Sequence, residues 1–188
     1  MTAGQEVVLA GEDQQNLTTL RMDLGWDKER TAGAIGTGAP DVDLDASAVQ
    51  FSGDQLFDLA FYNNLSTRDG SVVHLGDNQT GSGQGDDEQI TVDLSKIYAK
   101  VDTIVFLVSS YQGHTLDWID SAYVRLVDVA GDEERELARF TLTGGFPTTG
   151  MVMATMVRED DQWRLKAVGQ GIAAKIPTES VDALRAFV

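Results

Sequence analysis

Val101-Asp102-Thr103-Ile104-Val105-Phe106-Leu107-Val108 is the stretch on which the fold turns. It is a near-continuous β-branched and aromatic run, as expected of a central strand. Working outward, apolar residues recur with period two. Phe57, Leu59 and Phe61 share one face before the run, as do Ile90, Val92 and Leu94. After it come Ala122–Val129, Leu137–Leu142, Met151–Val157 and Trp163–Val168, divided by turn-rich stretches at 130–132, 144–147 and 159–161. Short strands at this spacing predict an all-β fold, a two-sheet β-sandwich.

Helical signals are few. Ser95 is placed to cap a short turn over Lys96–Lys100, and Thr178 with Glu179 is placed to open a C-terminal helix through Val188. The chain has 188 residues, 42% of them apolar, with neither an interdomain linker nor an internal repeat, so residues 1–188 read as one domain. The stretch Met1–Ala10 has no basic region ahead of an apolar one, and the longest apolar run, Ile104–Val108, is five residues. A membrane-spanning helix needs about twenty, so the expectation is a soluble, intracellular protein. Without cysteine, the chain has no disulfides, thiolate metal sites or thiol nucleophiles, and two histidines are too few for a three-His metal centre.

The charge is strongly negative: 14 Lys+Arg against 30 Asp+Glu, a net −16. Such a field repels nucleic acid and anionic lipid and attracts cations. Residues 41–93 alone hold eleven carboxylates and one basic residue, Arg68, which is −10 of the −16. Two carboxylates about 4 Å apart repel by roughly 1 kcal/mol in water and about 4 kcal/mol at an effective dielectric near 20. A fold that gathers several needs a cation, protons or distance; the competing reading scatters them over outward strand positions for solubility.

Two segments read as loops, Gly33–Pro40 and Gly76–Gly85. The second has four glycines in ten residues and leads into Asp86-Asp87-Glu88, giving a backbone able to wrap closely around a ligand. Hard cations such as calcium take six to eight oxygen ligands, and three segments offer them. Asp43-Leu44-Asp45, if extended, points both carboxylates the same way; Asn63-Asn64 closes the strand Leu59–Tyr62; Asp77 and Asp86-Asp87-Glu88 bracket the glycine loop. An EF-hand fails because Gln79, Gly81 and Ser82 stand where acids or amides and a glycine belong. A metal site therefore needs ligands from separate loops.

Other chemistry is poorly supported. Asn63-Asn64 also reads as a strand-terminal turn and Arg68-Asp69-Gly70 as a hairpin turn. His74 reads as a packed or surface histidine, and Met151, Met153 and Met156 as core. Ser109-Ser110 has no G-x-S-x-G elbow and no assignable histidine partner. The glycine loop lacks a lysine or arginine to hold phosphates.

Leu24-Gly25-Trp26-Asp27, Asp43-Leu44-Asp45-Ala46-Ser47, Phe61-Tyr62-Asn63-Asn64, and Gly76–Gly81 with Gly85-Asp86-Asp87-Glu88 resemble the signature blocks of the TerD family of bacterial tellurium-resistance and general-stress proteins. Trp163 and Gly169-Gln170-Gly171 are similar to that family's closing strand and its step into the C-terminal helix. The resemblance implies a cytoplasmic β-sandwich that binds Ca2+ through acidic loops. Carried over, the metal ligands are Asp43, Asp45, Asn63, Asn64, Asp77, Asp86, Asp87 and Glu88, with Asn63 and Asn64 acting through backbone carbonyls. Asp27 is a secondary candidate and Trp26 a core residue. Asp23, two residues before Gly25, departs from the small residue usual in the family, as do the Thr31–Pro40 insertion and Asp41.

The function expected is a calcium-binding stress-response protein with no catalytic residues, one or two ions, and protein partners to be identified. The alternatives are a metal-dependent hydrolase acting on a small anionic substrate and an adaptor whose membrane association is bridged by calcium. Direct coordination of tellurite is disfavoured, since an oxyanion is repelled by this surface and soft tellurium prefers thiols.

Overall fold

The computed structural model describes residues 4–9, 18–26, 43–76, 86–118, 122–131, 133–141, 146–159 and 162–188. In chain order the strands are β1 Glu6–Val8, β2 Thr19–Trp26, β3 Leu44–Ser52, β4 Gln55–Ala60, β5 Val72–His74, β6 Glu88–Asp93, β7 Thr103–Ser110, β8 Ala122–Asp128, β9 Arg135–Thr141, β10 Gly150–Glu159 and β11 Gln162–Ile172. They form a six-stranded sheet, β1-β11-β10-β7-β3-β4, and a five-stranded sheet, β5-β6-β2-β8-β9. All pairings between these strands are antiparallel.

The expected two-sheet sandwich is present, and its central run is β7, buried at all eight positions. The reason is that both faces of its sheet are covered. Ile104, Phe106 and Val108 face the main core between the sheets, with Leu20, Met22, Leu24, Ile90, Val92 and Trp26. Val105 and Leu107 face a second cluster with Val49, Phe51 and Val152, closed by Ala174 and Leu184 of the C-terminal segment. A strand buried on both faces reads as a continuous apolar run; one buried on a single face alternates. Met151, Met153 and Met156 are core, as expected.

Four strands add to the runs read from periodicity: β1, β2, β3 and the short β5. β2 carries the alternation Leu20, Met22, Leu24 in plain view. In β3 eight of nine positions are buried although they include Asp45, Ser47 and Gln50, so the polar residues hide the strand from a hydrophobicity pattern.

Residues 94–100 form hydrogen-bonded turns, with the Asp93 carboxylate accepting from the Ser95 N–H at 3.0 Å. The C-terminal helix is shorter than expected: a 3-10 turn Pro177–Glu179, one α turn α1 Val181–Leu184, and a 3-10 turn Arg185–Phe187. The hairpin turn at 68–70 is borne out. The Gly70 N–H donates to the Thr67 carbonyl at 2.9 Å, and Gly70 takes the left-handed φ of 68° that this turn needs.

Candidate functional site

Strand pairing brings the sequence candidates to one end of the sandwich. Asp45 lies opposite Ser109, Gly150 opposite the same Ser109, and Glu88 opposite Leu24. The end is thus built from the C-terminal ends of β2 and β7 and the N-terminal ends of β3, β6 and β10. The turn Phe61–Asn64 reaches it too, because β4 runs back along β3 and ends with Ala60 opposite Ala48. Asp43, Asp45, Asn63, Asn64, Asp86, Asp87 and Glu88 all stand here; Asp77 and Asp27 lie outside the described residues.

These carboxylates share an end but occupy different layers. Asp43-Leu44-Asp45 is extended, with the Asp43 carbonyl accepting from the Tyr111 N–H at 3.1 Å. The period-two pleat sends Asp45 and Ser47 to the face that carries Val49 and Phe51, the outer face of the six-stranded sheet, while Leu44, Ala46 and Ala48 face the main core. Asp43 continues the Asp45–Ser47 row. Asp43 is 8% exposed and Asp45 2%.

Glu88 points between the sheets, level with Ile90 and Val92. Its Oε2 accepts the Ala46 N–H at 2.6 Å, tying β6 to β3 of the opposite sheet at a point β4 does not cover. His74 Nε2 is 3.5 Å from the same oxygen, and both side chains are wholly buried. The Gly76 N–H donates to His74 Nδ1 at 3.3 Å, which leaves the ring proton on Nε2, facing Glu88. His74 is a packed histidine, as its sequence context suggests.

Asp87 lies at the rim of the five-stranded sheet. Its Oδ2 accepts the Trp26 N–H at 3.0 Å while its own N–H donates to the Leu24 carbonyl at 2.8 Å. Trp26 is 4% exposed, a core residue.

Asp86 turns to the outer face of that sheet. It accepts from Tyr123 Oη at 2.9 Å and from both Nε and Nη2 of Arg125. Burial pushes its carboxyl up, but the hydrogen bonds from Arg125 and Tyr123 outweigh it and hold Asp86 below the usual range. Asp23, beside it and fully buried, behaves oppositely. Burial raises it and the Arg21 hydrogen bond only partly offsets this, so its pKa stands above the ordinary carboxylate value. Arg21 bridges Asp23 and Glu134, and Arg125 bridges Asp23 and Asp86.

The Tyr123 ring lies over Gly25, where an added Cβ would come within 2.7 Å of ring atoms, so the glycine of Leu24-Gly25-Trp26 is a contact requirement. Arg125 and Tyr123 escaped the sequence reading because nothing in their neighbourhood marks a partner 37 to 39 residues away. Asp23 was detectable, being a carboxylate inside an alternating strand.

Asn63 is exposed and Asn64 half-buried. Asn64 exchanges backbone hydrogen bonds with Phe61 at 2.9 and 3.0 Å, and its Nδ2 donates to the Leu59 carbonyl at 2.6 Å. The pair forms the strand-terminal turn.

Among the described residues no three acidic or histidine side chains lie close enough to hold a metal ion. A cation at this end therefore needs further oxygens, from hydroxyls, carbonyls, water or the acids of the adjoining segments. The donors present are all hard oxygens, which suits calcium or magnesium and not a soft metal.

Fold and site together define a class: an acidic two-sheet sandwich whose carboxylates gather at the end from which the segments after β2 and β5 leave. Residues 1–178 match the TerD domain. The chain is 36% identical over 168 residues to the tellurium resistance protein TerZ of Serratia marcescens, covering 87% of this chain and 86% of the relative. It is 34% identical over 181 residues to the stress response protein SCP2 of Bacillus subtilis (strain 168), 89% of each. A solved structure from Streptomyces coelicolor A3(2), a homologue of the telluride resistance protein TerD, superposes with a TM-score of 0.74 at 19% identity, over 88% of this chain and 96% of that one. This chain belongs to the TerD family. These relatives carry resistance and stress-response names and no enzyme name. Among the described residues no helix is long and apolar enough to cross a membrane.

Proposed function

We propose that this chain is a calcium-binding stress-response protein of the tellurium-resistance type, that it acts in the cytoplasm, and that it is not an enzyme. The observation that carries this reading is the burial of Asp43 and Asp45, 8% and 2% exposed, in one extended row. Taking a carboxylate out of water costs several kcal/mol, and two in one row repel each other besides. A divalent cation offsets both terms and leaves a net charge still far below zero. The relatives' stress and resistance names supply the physiological setting.

In this reading Asp43 and Asp45 are the first ligands. Asn63, Asn64, Asp77, Asp87 and Glu88 are the further oxygens to test; the Asp86 carboxylate ligates only by leaving Arg125. Asp87 Oδ2 and Glu88 Oε2 each accept a backbone N–H, the kind of support that orients metal ligands.

The test is a thermal melt of metal-stripped protein with and without calcium, with magnesium as control. At a hundredfold excess over Kd, binding stabilises the folded state by about 2.7 kcal/mol, an upward shift of roughly 5–11 °C for a domain of this size. A shift with calcium and little with magnesium is the expected outcome. No shift with either ion returns the acidic end to a structural role.

A further inference from the structure

We infer that the hydroxyls of Ser47 and Ser109 are oxygen ligands of the cation held by Asp43 and Asp45, an inference that rests on the calcium reading above. Both serines are wholly buried, and neither Oγ has a hydrogen-bond partner among the described residues. Both lie on the face that carries Asp45. Ser47 follows it by two positions along β3, and Ser109 is its register partner across to β7. Directly opposed residues in an antiparallel pair have Cβ atoms about 4.5–5.5 Å apart, within reach of a shared ligand.

Burial of an unmet hydroxyl is unfavourable and rare, and the rest of this face shows that packing does not require it. Val49, Phe51, Val105, Leu107 and Val152 continue the same surface as plain hydrocarbon. Two other buried hydroxyls of β7 are paired: Ser110, the next residue, accepts the His114 N–H at 3.1 Å, and Thr103, further back along the strand, donates to Asp102 Oδ1 at 3.1 Å. The two unmet hydroxyls thus fall only where the face meets Asp43 and Asp45. A neutral hydroxyl is a hard oxygen donor and adds no charge to a site already carrying two carboxylates, as a many-oxygen cation site needs.

The experiment measures calcium binding by calorimetry and the melting temperature of metal-stripped protein for wild type, Ser47→Ala, Ser109→Ala and the double variant, with Ser110→Ala as control. Each single variant is expected to bind calcium at least roughly tenfold more weakly, the scale seen when a supporting group is removed from a metal site. The metal-free variants should melt at the wild-type temperature or above it, since an unmet polar group has been replaced by a methyl. Ser110→Ala should do the reverse, melting lower with its calcium affinity retained. Wild-type calcium affinity in both single variants overturns the inference while leaving the calcium reading intact. Lower metal-free stability with unchanged affinity also overturns it, assigning the hydroxyls to buried water. Absence of calcium binding in the wild type defeats the calcium reading itself, and the inference with it. Should an alanine variant fail to fold, Ser109→Cys keeps the volume and substitutes a donor that hard cations bind poorly.

Discussion

The two ends of the sandwich hold their carboxylates by different means. At the end made of tight turns, several acids are tied to backbone N–H groups, most of them close in sequence. Asp69 accepts the Ser71 and Tyr98 N–H groups, Asp93 accepts Ser95, Asp102 accepts Gly53, and Asp128 accepts Ala130. Three of these bonds reach two residues along the chain, the side-chain turn that makes Asp common in loops. At the opposite end the bonds are long-range. Asp86, Asp87 and Glu88 are consecutive, yet they engage Arg125 and Tyr123 of β8, Trp26 of β2 and Ala46 of β3. One end uses acids to shape local turns; the other uses them to fasten separate strands and both sheets together. Equal charge in the sequence therefore stands for two physical roles.

The sharpest way to break this contrast is to remove Glu88. Glu88→Ala leaves the Ala46 N–H and His74 Nε2 facing a buried void between the sheets. Leaving buried neutral donors without their acceptor costs about 1–3 kcal/mol each, so about 3 kcal/mol for the two, roughly 6–12 °C in Tm for a domain of this size. Glu88→Gln keeps an acceptor for Ala46 and should lose markedly less. Equal, small losses in the two variants, measured on metal-stripped protein, would show that the tie between the sheets carries little of the fold.

A smaller effect is expected at the turn end. Asp69 accepts four hydrogen bonds, from Thr67 Oγ1, Ser71 N and Oγ, and Tyr98 N, at 2.7 to 3.1 Å. Burial works against its ionised form, but these hydrogen bonds outweigh burial and hold its pKa below the ordinary value. Stability from such a group is present above its unfolded pKa of about 3.9 and is lost as pH falls through the lower folded value. Asp69→Asn should cost about 1–2 kcal/mol at neutral pH, and the difference from wild type should shrink as the pH drops below about 4. Its calcium-induced rise in Tm should match the wild type's, whereas Asp45→Asn should abolish that rise. A lost calcium response in Asp69→Asn would merge the two ends into one system.

How much of this was legible follows from where the information sits. β7 could be read directly because both of its faces are apolar, and β6 because Ile90 and Val92 alternate with polar residues. β3 could not, because Asp45, Ser47 and Gln50 are polar residues at buried positions, which a hydrophobicity pattern does not mark. The acidic end was visible as an excess of charge, but that excess was itself a mixture. Asp69 and Asp93, counted in the same acidic stretch, belong to the turn end. The division of Asp45, Glu88 and Asp86 among three layers was beyond reach from linear spacing. Which face each residue takes is set by register with strands tens of residues away.

The smallest expected effect concerns Asp23 and separates the ionic face of the five-stranded sheet from the cation-seeking row on the other sheet. Asp23 is fully buried, with Arg21 Nε at 2.5 Å and Arg125 Nη2 at 3.0 Å, and Gln89 Nε2 donates to it at 3.1 Å. Burial raises its folded pKa above the unfolded one despite these partners. The folded state then holds the proton more tightly, so the Asp23 contribution falls as pH rises above the unfolded value of about 3.9. Asp86, depressed, runs the other way and in a lower range, gaining as the pH rises from its lowered folded value to about 3.9, below where Asp23 loses. Asp23→Asn removes the losing member and keeps the Arg125–Asp86 pair. Its stability relative to wild type should therefore improve as the pH is raised from about 4 toward neutrality, by less than the losses above, because Arg21 and Arg125 partly offset the burial of Asp23. Urea midpoints for the two proteins across that range give the comparison. A difference that stays constant with pH would mean that the two arginines fully compensate Asp23, and that the sheet face is a neutralised ion-pair lattice with no titration of its own.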